Sequence, residues 1–316
     1  LELPDGETVE LPGSIYSKVG LSGELRSNYV LPAGSFAEDG GTLSWGESDI
    51  DFSTNPNNGK VSAAGRIGNL NVEDGDEVIA IHGLTFSTDQ VPTQYGFYTG
   101  DVAVELGGMS VTSGGTKAGG IKSMKLDASS AVKGGLLSGR TQLTLDSEAI
   151  PQFGEVSVVA DVSLSGADAE AIGALQQAMQ SMQTQGTNPD PQQMMALLGD
   201  DLKQLLATGM ELRFDQLDVT LPMGTVETRL DFKVKEDSPA TFEWTSLLLA
   251  TEASADISIP EGLIEMATQM NPQMGAVVGM GFLQKNGEVY ELKAEYAKGL
   301  LTVNGTPMPI PLGMFQ

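Results

Sequence analysis

The sequence predicts an α+β fold: one large, curved antiparallel β-sheet, a meander, with a helical pair and short C-terminal helices packed on one face. Three observations predict it. Short runs of period-two alternation, punctuated by Gly, Pro and Asn, fill residues 1–150, and the 39 glycines are spread along the whole chain. A strand–helix–helix–strand pattern then occupies Gly154 to Thr220. Beyond it, Val226, Thr228, Leu230, Phe232 and Val234 alternate with Glu227, Arg229, Asp231, Lys233 and Lys235, which is a strand with one wet side.

Taken in order, Gly23–Val30, Gly41–Phe52 and Gly59–Leu70 read as successive strands, separated by breaker clusters such as Asn55-Pro56-Asn57-Asn58-Gly59. Glu77–Phe86 and Tyr95–Val111 supply two more. Gly100–Leu106 and Gly139–Leu145 echo each other loosely, but no fixed period survives, so a meander is expected and not a solenoid. Residues 1–150 form this β-meander region, and residues 151–316 form an α+β region continuous with the same sheet.

The helical pair covers about residues 167–209. Ser165 or Asp168 caps its start, and Ile172, Leu175, Met179 and Met182 recur at helical spacing. Asp190-Pro191 opens the second helix, whose stripe is Met194, Met195, Leu198, Leu202, Leu205 and Leu206, with Gly209 as its stop. Two such helices cannot repay the entropy of ordering about forty residues by burying only each other. They must dock on the flanking strands. Further on, Thr251–Ile259 is a strand, Pro260 opens a helix carrying Leu263, Ile264 and Met266, and a second helical turn covers about Met274 to Leu283. Asn286-Gly287 and Asn304-Gly305 mark the last two hairpins.

Composition excludes several functions. The net charge of −25, from 42 acidic against 17 basic residues, is wrong for nucleic acid, which needs a Lys/Arg footprint. It also disfavours attachment to anionic headgroups. No run of eighteen apolar residues is present. With no cysteine and one histidine, thiolate and histidine-rich metal sites are impossible. His82 lies in an alternating strand with no nucleophile elbow nearby, so it reads as a structural or surface histidine. Asp74-Gly75-Asp76-Glu77 lacks the spaced ligands of a calcium loop, and Gly114–Gly120 lacks the residue order of a P-loop; both read as turns. No metal, cofactor or catalytic residue is expected, and the protein reads as a non-enzyme. Carboxylate-pair hydrolysis has no marked pair behind it.

The segment Tyr290–Pro309, YELKAEYAKGLLTVNGTPMP, resembles the C-terminal signature of the YdgA-like family of bacterial envelope proteins. Gly154-Glu155-Val156 leading into Leu164–Ala171, and Pro260 opening a short helix before a Gly-rich one, are similar to that family as well; the resemblance spans roughly residues 76–316. It implies a periplasmic protein held to the inner membrane by an N-terminal segment, with no established activity and no functional residues to carry over. The chain opens on Leu1 and not on methionine, and is read as having lost such a segment, so membrane contact is expected only through it.

Ten of the fourteen methionines lie between Met179 and Met280. Methionine suits irregular core gaps or variable apolar ligands. The expected role is a non-enzymatic envelope protein holding an apolar, lipid-like molecule between sheet and helices. Its lining would be Ile172, Leu175, Met179, Met182, Met194, Met195, Leu198, Leu202 and Leu205. The alternative is a structural or protein-interaction module of the periplasm without a small ligand, whose partner is another envelope protein.

Overall fold

The computed structural model describes residues 12–38, 40–150, 153–185, 191–236, 247, 249–270 and 278–308, with the backbone alone for 183–185 and 191–198. Nineteen strands belong to one antiparallel sheet, so the predicted fold class is the observed one. The chain divides into two compact units that interleave in sequence. The first comprises Leu1–Pro92, Tyr98–Ser129 and Leu143–Ser157; the second comprises Thr93–Phe97, Ser130–Gln142 and Val158–Gln316.

The first unit is built from β1 (Ser14–Val19), β2 (Leu25–Leu31), β3 (Gly34–Glu38), β4 (Gly41–Trp45), β5 (Ser48–Asn55), β6 (Lys60–Ile67), β7 (Leu70–Asp74), β8 (Glu77–Pro92) and β9 (Tyr98–Ser113), with much of β10 (Thr116–Lys133) and the end of β11 (Leu136–Ser147). β8, β9 and β10 follow one another as a meander, turned between β9 and β10 by Gly114-Gly115 at φ 59° and 73°, the left-handed pair that a two-residue hairpin requires. Earlier the hairpins nest instead: β2 pairs with β5, β4 with β7, and both β6 and β7 with β8.

Nesting corrects the single strands expected over Gly41–Phe52 and Gly59–Leu70. Each is two strands, broken where Gly46 and Gly68 cross: Gly46 donates to the Asn69 carbonyl at 2.7 Å, and a Cβ on Gly68 would stand 2.5 Å from the Gly46 carbonyl carbon. No side chain fits at Gly68, and a Cβ on Gly46 would stand 3.0 Å from the Asn69 amide nitrogen, so the backbones meet here and both strands end.

The second unit holds the end of β10, the start of β11, β12 (Ser157–Asp168) from Val158 onward, α1 (Ala169–Gln185), α2 (Pro191–Ala207), β13 (Glu211–Leu221), β14 (Gly224–Val234), β15 (Thr251–Pro260), α3 (Glu261–Met270), β16 (Gln284–Asn286), β17 (Val289–Ala297), β18 (Leu300–Val303) and β19 (Thr306–Met308). Of the two caps proposed from sequence, Asp168 is the one used. Its Oδ1 accepts from the Ala171 amide at 2.8 Å and from Gln204 Nε2 at 2.9 Å, fixing the start of α1 to α2. At the far end Thr208 Oγ1 lies 2.8 Å from the Leu205 carbonyl and 2.9 Å from that of Gly166, and Gly209 follows at φ 85°. The apolar residues of β14 meet those of β15 rung by rung, and β15 meets β17 likewise: Leu230, Ala255 and Ala294 share one row, Thr228, Ile257 and Leu292 the next. Leu263 and Ile264 of α3 are buried, and Ala207 and Val234 pack with Leu206, Phe232, Leu247 and Ala250. The helical turn expected from Met274 falls largely on residues outside those described; Leu283 is buried just before β16.

Among the ion pairs of the described residues, one in this unit has a buried carboxylate. Asp161 is 9% exposed and accepts from Arg140 Nε at 2.8 Å and Gln142 Nε2 at 3.0 Å, with Arg140 Nη2 closing a bidentate clasp. The Arg140 hydrogen bond, opposed by burial and assisted by Gln142, holds the Asp161 carboxyl below the usual aspartate range. A depressed folded-state pKa stabilises the fold above the ordinary aspartate value, and that contribution is lost as pH falls through the folded pKa. Urea unfolding of Asp161→Asn should therefore show a stability deficit of roughly 1–3 kcal/mol at pH 7 that shrinks toward zero in strong acid. A deficit constant down to the lowest accessible pH would contradict this.

Candidate functional site

The ladders of the first unit sort its side chains into two unlike faces. Antiparallel partners share a face, so register alone defines the rows. One row runs Trp45–Leu70–Ile81–Met109–Ile121 across β4, β7, β8, β9 and β10. Beside it runs Phe36–Leu43–Val72–Ile79–Val111. Toward the other end of β8 the same holds for Ile15–Tyr29–Ile50–Gly65–Phe86–Val104–Leu126. The reverse side reads Ser35–Ser44–Asn71–Ala80–Ser110–Gly120 and Lys18–Arg26–Ser53–Ser62–Asp89–Asp101–Ser129.

The apolar rows change parity along β8, from odd numbers at Ile79 and Ile81 to even ones at Leu84 and Phe86. The ladder to β9 passes from His82–Gly108 to Leu84–Leu106 with no rung at Gly83, whose φ is 62°. A left-handed glycine in a strand turns successive side chains to one side, as in a bulge. This change of parity, made without a change of register, keeps the apolar residues on a single face through the middle of the sheet. β9 and β10 change parity at the same level, from Met109 to Leu106 and from Ile121 to Met124, with their mutual register unbroken there.

Among the described residues, no apolar side chain of this face is fully buried. Among the described residues, every buried apolar side chain belongs to the second unit. In the first, Phe36, Val72 and Ile79 are 38–40% exposed, and Trp45, Leu70, Ile81 and Met109 are half-buried. Monomeric proteins rarely leave contiguous apolar surface of this kind open without a use for it.

Charge is almost absent from it. The rows place only Glu38, Asp74 and Glu77 there, all in one rung at the hairpin tips. The opposite face carries the ions, including Lys60–Asp89 at 2.8 Å and Lys125–Glu105 at 3.1 Å. The Glu105 hydrogen bond and the nearby Asp127 charge hold Lys125 above the ordinary lysine value. His82 also stands on that wet face, opposite Gly108. The apolar rows themselves offer dispersion contacts and release of water.

The residues expected to line a site lie elsewhere. Ile172, Leu175 and Leu205 pack into a cluster with Ala167, Ala171, Leu137, Leu164 and Met210. Met182 and Leu202 are half-buried, and Met179 is 55% exposed. The side chains of Met194, Met195 and Leu198 lie outside the described residues. A groove of about 600 Å³ occurs in the second unit, but it is lined by Met223, Thr225, Ser258, Pro260 and four glutamates: Glu227, Glu261, Glu265 and Glu288. Glu261 is taken up by Lys285. No cluster of three or more metal-ligating side chains occurs among the described residues, and none of their helices is long and apolar enough to cross a membrane.

Short pairs such as Leu43/Trp45, Leu70/Val72, Ile79/Ile81 and Met109/Val111 were the available signal for the sheet face. Each alternates visibly, but only register places them side by side.

One family model matches the chain, over residues 8–311, and is described as a bacterial protein of unknown function, DUF945. No curated protein and no solved structure matches it.

Proposed function

The chain belongs to the DUF945 family of bacterial proteins of unknown function, and from that premise we propose that it is a non-enzymatic envelope protein that holds an apolar, lipid-like molecule. The observation that carries this reading is the open face of the first unit, with Trp45, Leu70, Ile81 and Met109 in one row and nothing charged among them. Acyl chains laid there gain about 0.8 kcal/mol for each methylene removed from water. The lipid lies on the sheet and not beneath α1 and α2, because Ile172, Leu175 and Leu205 are already engaged with one another and with strand residues. The resemblance of Tyr290–Pro309 to YdgA-like proteins supports a periplasmic, membrane-anchored setting, which fractionation of cells carrying the full-length gene product would test.

Native mass spectrometry after purification without detergent is the direct experiment. The expected spectrum shows adducts of phospholipid mass that exchange with added lipid. A clean apo mass after incubation with vesicles would end this reading.

A second reading, a protein-interaction module, is favoured by β1, all six of whose residues are exposed, with Ile15, Tyr16 and Val19 among them. Under that reading the protein purifies with a stoichiometric protein partner and no lipid.

A further inference from the structure

Resting on that reading, we infer that the open sheet face selects membrane lipids by headgroup charge, and that its occupant is a diacyl phospholipid carrying no net negative charge. An acyl chain asks nothing of a surface except dryness, so the apolar rows cannot by themselves distinguish one phospholipid from another. The charge around them can. Lys18, Arg26, Lys60, Arg66, Lys117 and Lys125 all fall on the opposite face by register. Lys122, between the rungs, is taken up by Glu155. The charged side chains that share the apolar face, Glu38, Asp74 and Glu77, are acidic, and the chain as a whole carries −25.

A phosphodiester without a compensating amine would therefore meet no cation at the edge of the face, and would sit in a uniformly negative field. A zwitterionic headgroup carries its own counter-charge. The same field argues against a second copy of this chain as occupant. Two copies would bring −25 against −25, and the rows of the face carry none of the arginines in which protein interfaces are enriched.

The test presents the full chain with vesicles of phosphatidylcholine, phosphatidylethanolamine–phosphatidylcholine and phosphatidylglycerol, matched in acyl chains. Lipid transferred to the protein is counted by native mass spectrometry at about 0.01 M and about 1 M salt, where charges are screened over roughly 30 Å and 3 Å. The expected result is at least about tenfold less phosphatidylglycerol than zwitterionic lipid at low salt, with the gap closing at high salt. Equal or preferential uptake of phosphatidylglycerol at low salt overturns the inference and leaves lipid carriage standing. Uptake of no lipid at either salt overturns both. A salt-independent dimer in lipid-free solution, in which the face is protected, overturns the inference in favour of a second copy.

Discussion

Replacing Ile81 and Met109 together by asparagine should abolish at least nine-tenths of lipid uptake while barely changing the stability of the fold. The two residues are cross-strand partners at the middle of the open row, and asparagine leaves the net charge alone, so the headgroup field is untouched. A tenfold loss corresponds to about 1.4 kcal/mol, less than the cost of laying acyl chain over two unsatisfied amides. The matched control is Ala80→Asn with Ser110→Asn, the pair directly opposite on the wet face, which should carry lipid as the parent does. Urea midpoints supply the second readout. If the face is open, each double variant costs less than about 2 kcal/mol, the scale of strand propensity. Were Ile81 and Met109 core residues, the first pair would cost several kcal/mol and the reading of an uncovered face would fail with it.

Two glycine-to-alanine changes in the helical pair should move stability in opposite directions. Alanine normally improves a helix interior by about 1 kcal/mol over glycine. Gly199→Ala in α2 meets nothing within 4 Å and should show that gain. In α1 a Cβ on Gly173 would stand 2.2 Å from the Tyr95 carbonyl oxygen. Tyr95 is held in its loop by Thr93, whose Oγ1 and amide both donate to the Phe97 carbonyl, at 2.7 and 2.8 Å, so backbone must shift. Gly173→Ala should cost roughly 1–3 kcal/mol as an overpacked contact, read as a lowered midpoint in thermal unfolding. Stabilisation by both changes would mean that α1 does not lie against residues 93–97.

Much of this protein is written locally. The alternation of Val226–Val234, the aspartate before α1, the proline at the start of α2 and the glycine after it each specify an element, because caps, turns and period are properties of a few adjacent residues. Residue type in this chain also rules out thiolate chemistry and any site that needs two histidines.

Register is another matter. That Trp45, Leu70, Ile81, Met109 and Ile121 form one row depends on which strand neighbours which, and nested hairpins pair β4 with β7 across 24 intervening residues. The breaks at Gly46 and Gly68 are likewise invisible until the two backbones cross. The methionine-rich helices drew attention because a 3.6-residue stripe is conspicuous in a single segment. The open face was assembled from pairs of apolar residues contributed by separate strands, and a two-residue fragment carries no signal of its own until hydrogen bonds line the strands up. Sequence determined the pieces; long-range pairing alone decided which apolar side chains stayed in contact with water.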